Sequence, residues 1–573
     1  IFFTSISYGG LFRDIPSAKT PDEARSLRQE RKLSIIKHYS KQPIGQTFSD
    51  GSHAAFSLPA IARAYFNLDA EVVNRIILNP SFKPYAKVGS NFTAIPYLCE
   101  RKGDYDFALT YLIQLAYLSK KNNFLNSMAY NKLIFELLNT VGNEHYSHFW
   151  LGMCGRYEDT ENHILMIESA RYLTNQLRAQ YLLRRGYNLP QSINNNRNGF
   201  NDWIINHLEK IKAEYFDEYN SRPYQGYALM PIVNLATYAE NKKVKETARS
   251  LLDHMSQIFA IQSSSGTRSV PFRRQLAYEG RHDATRGDGE IARHAIMVGM
   301  LDFYPSLEKG KYVRYGKNFM LITAVSDYEM NDETLRLFFP PYKRPFYQKM
   351  SHQTPELYYS SKSFHLSAGG AYVNRLDGAT KLNDGWARPT LLKFHKRPET
   401  HLKEHFRFWG HRHRLRRRNT CVYKNFACGL NFSFPKYFDS SCGVEKGGLK
   451  FFDMSSTACG NISESYVAVK INACDTFLCR QRGKNIGLME VRESSDLAFS
   501  DFINIISSSN PDTPIKGTTP NKYITSFGEE IEYIPARTGR KKWEITEING
   551  KKTSEFFRDW PLFDGDILNS HSK

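Results

Sequence analysis

Apolar side chains recur at steps of three and four residues through the first half of the chain, the spacing that lines one face of an α-helix. The pattern predicts helices over Pro21–Tyr39, Leu58–Leu78 (one helix or a pair), Asp104–Lys120, Met128–Val141, His163–Arg184, Asn201–Tyr215, Tyr224–Ala239, Val244–Phe259 and Gly289–Leu301. Short polar connections such as Asn194–Asn198 separate them. Helix after helix on short loops, without a strict repeat length, reads as a ring or solenoid of helical hairpins.

The texture changes after Asp302. Lys317–Val325, Ala371–Asn374, Val422–Phe434, Tyr466–Ile471, Gly487–Val491 and Tyr523–Ile534 carry aromatic and β-branched residues between turn signals, as strands do. Short strands at this spacing suggest a β-sandwich. The expected architecture is α+β and multidomain. A helical domain over residues 1–320 is followed by an antiparallel β-sandwich over 321–573, with the change of texture falling within 305–350, around Pro340-Pro341.

Composition adds a charge and a compartment. Lysine and arginine number 77 against 58 acidic residues, a net charge of +19, which favours anionic partners such as nucleic acid, acidic membranes or acidic polysaccharides. No apolar run reaches the length of about 18 residues that a membrane span needs. The chain begins at Ile1, consistent with a leader already removed. Of the eight cysteines, Cys421, Cys428, Cys442, Cys459, Cys474 and Cys479 lie within 59 residues, while Cys99 and Cys154 stand apart. An even number in a strand-rich region, with no paired Cys-x-x-Cys spacing, fits disulfides in an oxidising compartment better than a metal site. Sequons at Asn91-Phe92-Thr93, Asn431-Phe432-Ser433 and Asn461-Ile462-Ser463 point the same way, to a secreted chain.

Two helix starts carry the candidate chemistry. Asp159-Thr160-Glu161-Asn162-His163 opens one, with Asp159 or Thr160 as its cap. Arg222-Pro223-Tyr224 opens the other, placing a phenol just inside the helix start. Cleaving a uronate polymer by β-elimination requires three things: neutralising the C6 carboxylate, removing the C5 proton and protonating the glycosidic oxygen. Asn and His side chains can hydrogen-bond the carboxylate and stabilise the enolate-like intermediate, and a tyrosine poised by cationic neighbours can move the protons. No step needs a metal or other cofactor. Against this stand the plainer roles of a packed histidine and of a tyrosine that is one of 34 in the chain.

The segment from Tyr224 to Glu240 resembles the helix carrying the catalytic tyrosine in toroidal alginate lyases and their heparinase-like relatives. Glu161-Asn162-His163 resembles the Asn-His motif of that group, and the order of the motifs, 61 residues apart from His163 to Tyr224, is similar as well. The resemblance covers roughly residues 55–300 in organisation and two short motifs in detail. It implies an incomplete α/α toroid followed by an antiparallel β-sandwich. It also implies Asn162 and His163 as carboxylate neutralisers and Tyr224 as base and acid; Glu161, Arg222 and Tyr227, neighbours of these motifs in the sequence, are candidate substrate contacts. Arg222 stands just ahead of the tyrosine, as an arginine does in the family, whereas Gln225 occupies the place where those alginate lyases tend to carry a histidine.

Two further stretches are candidates for holding substrate. In Arg273–Glu290, Arg281, His282 and Arg286 can bind sugar carboxylates or sulfates through the forked guanidinium, or simply pair with Asp283, Asp288 and Glu290. Lys393–Arg418 holds ten Lys or Arg, five His and two Glu, interleaved with aromatics. His405 and Trp409 are its candidate glycan contacts, and a solvated basic face is the plainer reading. Four of its histidines, His401, His405, His411 and His413, lack Cys or carboxylate partners at zinc spacings. No nucleic-acid fold signature, phosphate-binding loop or serine nucleophile elbow is present. The expected function is therefore secreted polysaccharide lyase, with a non-catalytic glycan-binding or structural protein as the rival. An α/α-toroid glycoside hydrolase using Glu161 and Asp283 comes third, and nucleic-acid binding last.

Overall fold

The computed structural model describes residues 20–49, 52–89, 103–138, 159–214, 216, 225–264, 267–268, 317–338, 346–350, 356–369, 390–395, 405–408, 419–473, 485–517, 519–534 and 543–552. They make a mixed α+β structure of helices and antiparallel sheets.

The helices, in chain order, are α1 (Pro21–Ser40), α2 (His53–Phe66), α3 (Ala70–Leu78), α4 (Asp106–Asn122), α5 (Ser127–Lys132), α6 (Glu161–Arg184), α7 (Phe200–Glu214), α8 (Gln225–Tyr238) and α9 (Lys242–Gln262). They are followed by α10 (Lys317–Val325), α11 (Asp332–Leu337) and, far along the chain, α12 (Phe499–Ser509). The described residues form two compact units. The helical one ends at Leu335; the strand-rich one begins at Arg336 and also takes in the end of α9 from Ile258.

In the helical unit α4 is the hub. It touches α2, α6 and α8, and is buried along almost its whole length from Asp106 to Ser119. A helix that is apolar on every side belongs inside a core, and α8 is of the same kind. Asn234 of α8 donates from Nδ2 to the carbonyl of Thr110, tying α8 to α4 at 2.9 Å. The start of α1 shows ordinary capping: Thr20 accepts from the N–H of Glu23 at 3.2 Å, and Pro21 occupies the first helical turn.

Lys317–Val325 is a helix, not the strand its sequence suggests. A short apolar run without flanking alternation fits either state, and here contact with α1, α2 and α8 selects the helix. The 58–78 stretch resolves into two helices, broken at Asn67 and Asp69, both in left-handed backbone (φ 57° and 53°). The helix expected over Met128–Val141 is α5 running into one π turn, Leu133–Leu137. The expected segments Gly289–Leu301 and Ala371–Asn374 lie outside the described residues.

The strand-rich unit is layered. One six-stranded antiparallel sheet runs, in spatial order, Phe432–Ser433, Phe406–Phe408, Thr390–Phe394, Phe364–Gly369, Glu356–Ser360 and Phe346–Met350. A second runs Val444–Lys446, Leu449–Asp453, Ser465–Ala473, Asn485–Glu493, Phe426–Leu430 and Val422–Tyr423. Strand alternation sends Val467, Val469, Met489 and Val491 of the second sheet toward Leu366, Leu392 and Phe408 of the first. The alternate residues Tyr466, Ala468, Ile486 and Leu488 turn the other way. They pack against Phe502 and Ile506 of α12 and against Tyr523, Ile531 and Tyr533 of a third sheet. The second sheet is thus buried on both faces. Disulfides join Cys421 to Cys428 and Cys442 to Cys459, within or beside it. Asn461 of the third sequon is exposed in a left-handed turn (φ 49°).

Candidate functional site

The first turns of three helices come together through their side chains. Asp106 and Phe107 begin α4, Asn162 and His163 begin α6, and Tyr227 lies in the first turn of α8. The Phe107 ring lies edge-on to His163, with centroids 5.3 Å apart, and edge-on to Tyr227 at 4.5 Å. Asp106 is fully buried, His163 is 5% exposed and Asn162 1%.

Asp106 uses both carboxylate oxygens. Its Oδ2 lies 2.7 Å from Nδ1 of His163, and its Oδ1 accepts from the N–H of Gly89 at 2.8 Å. Gly89 is held in place by a short ladder: Gly103 and Tyr105 donate to the carbonyl of Lys87, and Asp104 donates to that of Gly89. The backbone at Gly89 sits at φ 100°, where only glycine is unstrained. Gly103 is needed for a different reason, since a Cβ there would collide with Ala86.

The charge of the His163 ring follows from its neighbours. Burial works against the cation, but the charge and hydrogen bond of Asp106, with the charges of Asp159 and Asp104, outweigh it and lift the imidazole to about 9. His163 is therefore an imidazolium at neutral pH. With Nδ1 committed to Asp106, its Nε2–H has no hydrogen-bond partner among the described residues.

Asn162 is arranged as a second donor. Thr160 occupies the cap position of α6, yet its hydroxyl caps no backbone N–H and donates instead to Oδ1 of Asn162 at 2.7 Å. That bond fixes the amide so that Nδ2 is the free end, and Nδ2 is buried with no partner among the described residues. A buried amide donor left unpaired costs about 1–3 kcal/mol, a cost that a ligand's acceptor would relieve. One cationic and one neutral donor on adjacent residues suit an anionic oxygen acceptor.

Of the other candidate residues, Glu161 is half-buried in the same turn and Tyr227 is half-buried against Phe107. Tyr224 directly precedes α8 in the chain; it and Arg222, Arg281, His282, Arg286 and Trp409 lie outside the described residues. His405 is buried at the head of the strand Phe406–Phe408 in the strand-rich unit. Sequence reasoning missed Asp106 and Phe107. The available signal was the acidic start of the helix, Asp104-Tyr105-Asp106, but nothing local marks Asp106 as the partner of a histidine 57 residues away.

No protein-family model matches the chain, and no curated protein matches it. Among the described residues no helix is long and apolar enough to cross a membrane, and no cluster of three or more His, Cys, Asp or Glu is placed to hold a metal ion. The two disulfides fit a secreted protein.

Proposed function

We propose that the chain is a polysaccharide lyase that cleaves a uronate-containing anionic polymer by β-elimination. The helical unit would be part of an incomplete α/α toroid, and the stacked sheets the antiparallel β-sandwich that accompanies it. The observation that carries the reading is the pairing of a His163 imidazolium, fixed by Asp106, with the Nδ2 of Asn162, which has no partner among the described residues. Both donors would meet the C6 carboxylate, spreading its charge and stabilising the enolate-like intermediate. Tyr224, the residue before α8 in the sequence, would take the C5 proton. The C4–O bond then breaks as the C4=C5 double bond forms, and the same proton passes to the leaving oxygen. The net charge of +19 favours a polyanion as substrate.

The test is absorbance of unsaturated uronates on alginate, glucuronan, hyaluronan, chondroitin and heparan, with Tyr224→Phe and His163→Ala alongside. A rise that both substitutions abolish upholds elimination and names the polymer. No rise on any polymer, with glycan binding retained, would move the chain to the non-catalytic glycan-binding class.

A further inference from the structure

Asp106 bonds two separate parts of the helical unit. One oxygen holds the His163 ring and the other holds Gly89, in the stem formed by residues 87–89 and 103–105. Phe107, the next residue, covers the same ring edge-on. We propose that Asp106 is a positioning residue that acts through His163, keeping the ring cationic and its Nε2–H available as a donor. This rests on the lyase reading for what the donor binds, but not for the charge of the ring.

The geometry supports the assignment in three ways. Asp106 is fully buried, so its attraction to the ring is little screened by water. Its second oxygen is satisfied by a backbone N–H, which leaves it no reason to swing away. Among the described residues the charged groups acting on His163 are acidic: Asp106 at the start of α4, Asp104 just ahead of it, and Asp159 just ahead of α6. Glu161 lies on α6 itself, and across Phe107 stands Tyr227 of α8. Removing Asp106 therefore removes one of several like influences, the one that among the described residues is bonded to the ring.

The test is a titration of the ring nitrogens by NMR on the full chain labelled with 15N-histidine, with His163→Gln used to assign the signal. The His163 midpoint is expected at about 9, and in Asp106→Asn it is expected to move down by roughly 1–3 pH units. A wild-type midpoint at or below the ordinary value of about 6.5, or a midpoint that Asp106→Asn leaves in place, would overturn the proposal. If Asp106→Asn does not fold, the wild-type titration decides alone. Where a polymer is cleaved, the alkaline limb of kcat/KM should follow the same midpoint and shift with it in Asp106→Asn; a limb that stays put counts against Asp106. Absence of product from every polymer, with the midpoint still near 9, would sink the lyase reading and uphold the Asp106 assignment.

Discussion

The carboxylate of Asp106 lies 2.7 Å from the Nδ1 of His163, 57 residues away in the chain, and both groups are buried. Each residue belongs to the first turn of its own helix, so the contact fixes how α4 and α6 meet as well as the charge of the ring. A histidine raised above its unfolded value stabilises the fold while it holds its proton. That contribution is complete below about pH 6.5 and is lost as pH rises through about 9. Urea denaturation at pH 6 and pH 10 should show a loss on the order of 3 kcal/mol. His163→Gln should lack that part of the loss; an equal loss in both proteins would show that the ring is not the group titrating.

Asn162 should separate activity from stability. Its Nδ2 is buried without a partner among the described residues, so Asn162→Ala removes a group that costs the fold energy and should leave stability within about 1 kcal/mol of wild type. On the polymer that proves to be the substrate, kcat should fall by about 10²–10³, the usual effect of deleting one donor to a developing anion. Asn162→Asp should fall further, because it sets a negative charge against the carboxylate. Equal activity in all three proteins would remove Asn162 from the site.

Glu490 is a fully buried carboxylate of the middle sheet. Its Oε1 accepts from Nδ2 of Asn425 at 3.0 Å and from the N–H of Ser526 at 2.8 Å, and its Oε2 accepts from the hydroxyl of Tyr523 at 2.8 Å. Burial raises it above the usual carboxylate range, and the hydrogen bonds from Ser526, Tyr523 and Asn425 pull back only in part. An acid raised in this way favours the fold most when protonated, and the benefit fades as pH rises through the folded-state value. Glu490→Gln keeps the shape and should remove this loss of stability as the pH is raised above the ordinary carboxylate range. Glu490→Ala leaves three groups unpaired and should cost roughly 3 kcal/mol or more at any pH. Thermal or urea midpoints followed as the pH is raised would read both effects.

The two disulfides should differ in weight. Cys442–Cys459 spans 17 positions and Cys421–Cys428 spans 7. Loop closure in the unfolded chain predicts roughly 3 kcal/mol for the first and somewhat over 2 kcal/mol for the second. Paired Cys→Ser substitutions, made one bridge at a time and followed by denaturation, would test the order.

Several helices were legible because they are long and periodic: α1, α6 and α9 each begin and end within a few residues of where the apolar spacing places them. The motif at the head of α6 could be read in the same way, as could the helix that follows Tyr224. What could not be read was the pairing. Asp106 looks like any acidic residue in a first helical turn until His163 is beside it. α12 was missed for another reason. Its sequence, Phe499 to Ser509, is rich in Ile and Ser, poor helix formers, and only contacts through Phe502 and Ile506 make a helix of it. The run Lys317–Val325 failed in the opposite direction, since its branched residues suggest a strand and its neighbours require a helix.

The middle sheet, covered on both faces, has a consequence for synthesis. The first sheet has four of its strands by Phe394, but the residues that cover its apolar face come from a sheet finished only at Glu493. At roughly 5–20 residues per second, Leu366, Leu392 and their neighbours face solvent for on the order of 10 s on the ribosome. A nascent chain in that interval is a natural client for a chaperone that binds extended apolar strands, and the demand ends when the second sheet closes over it.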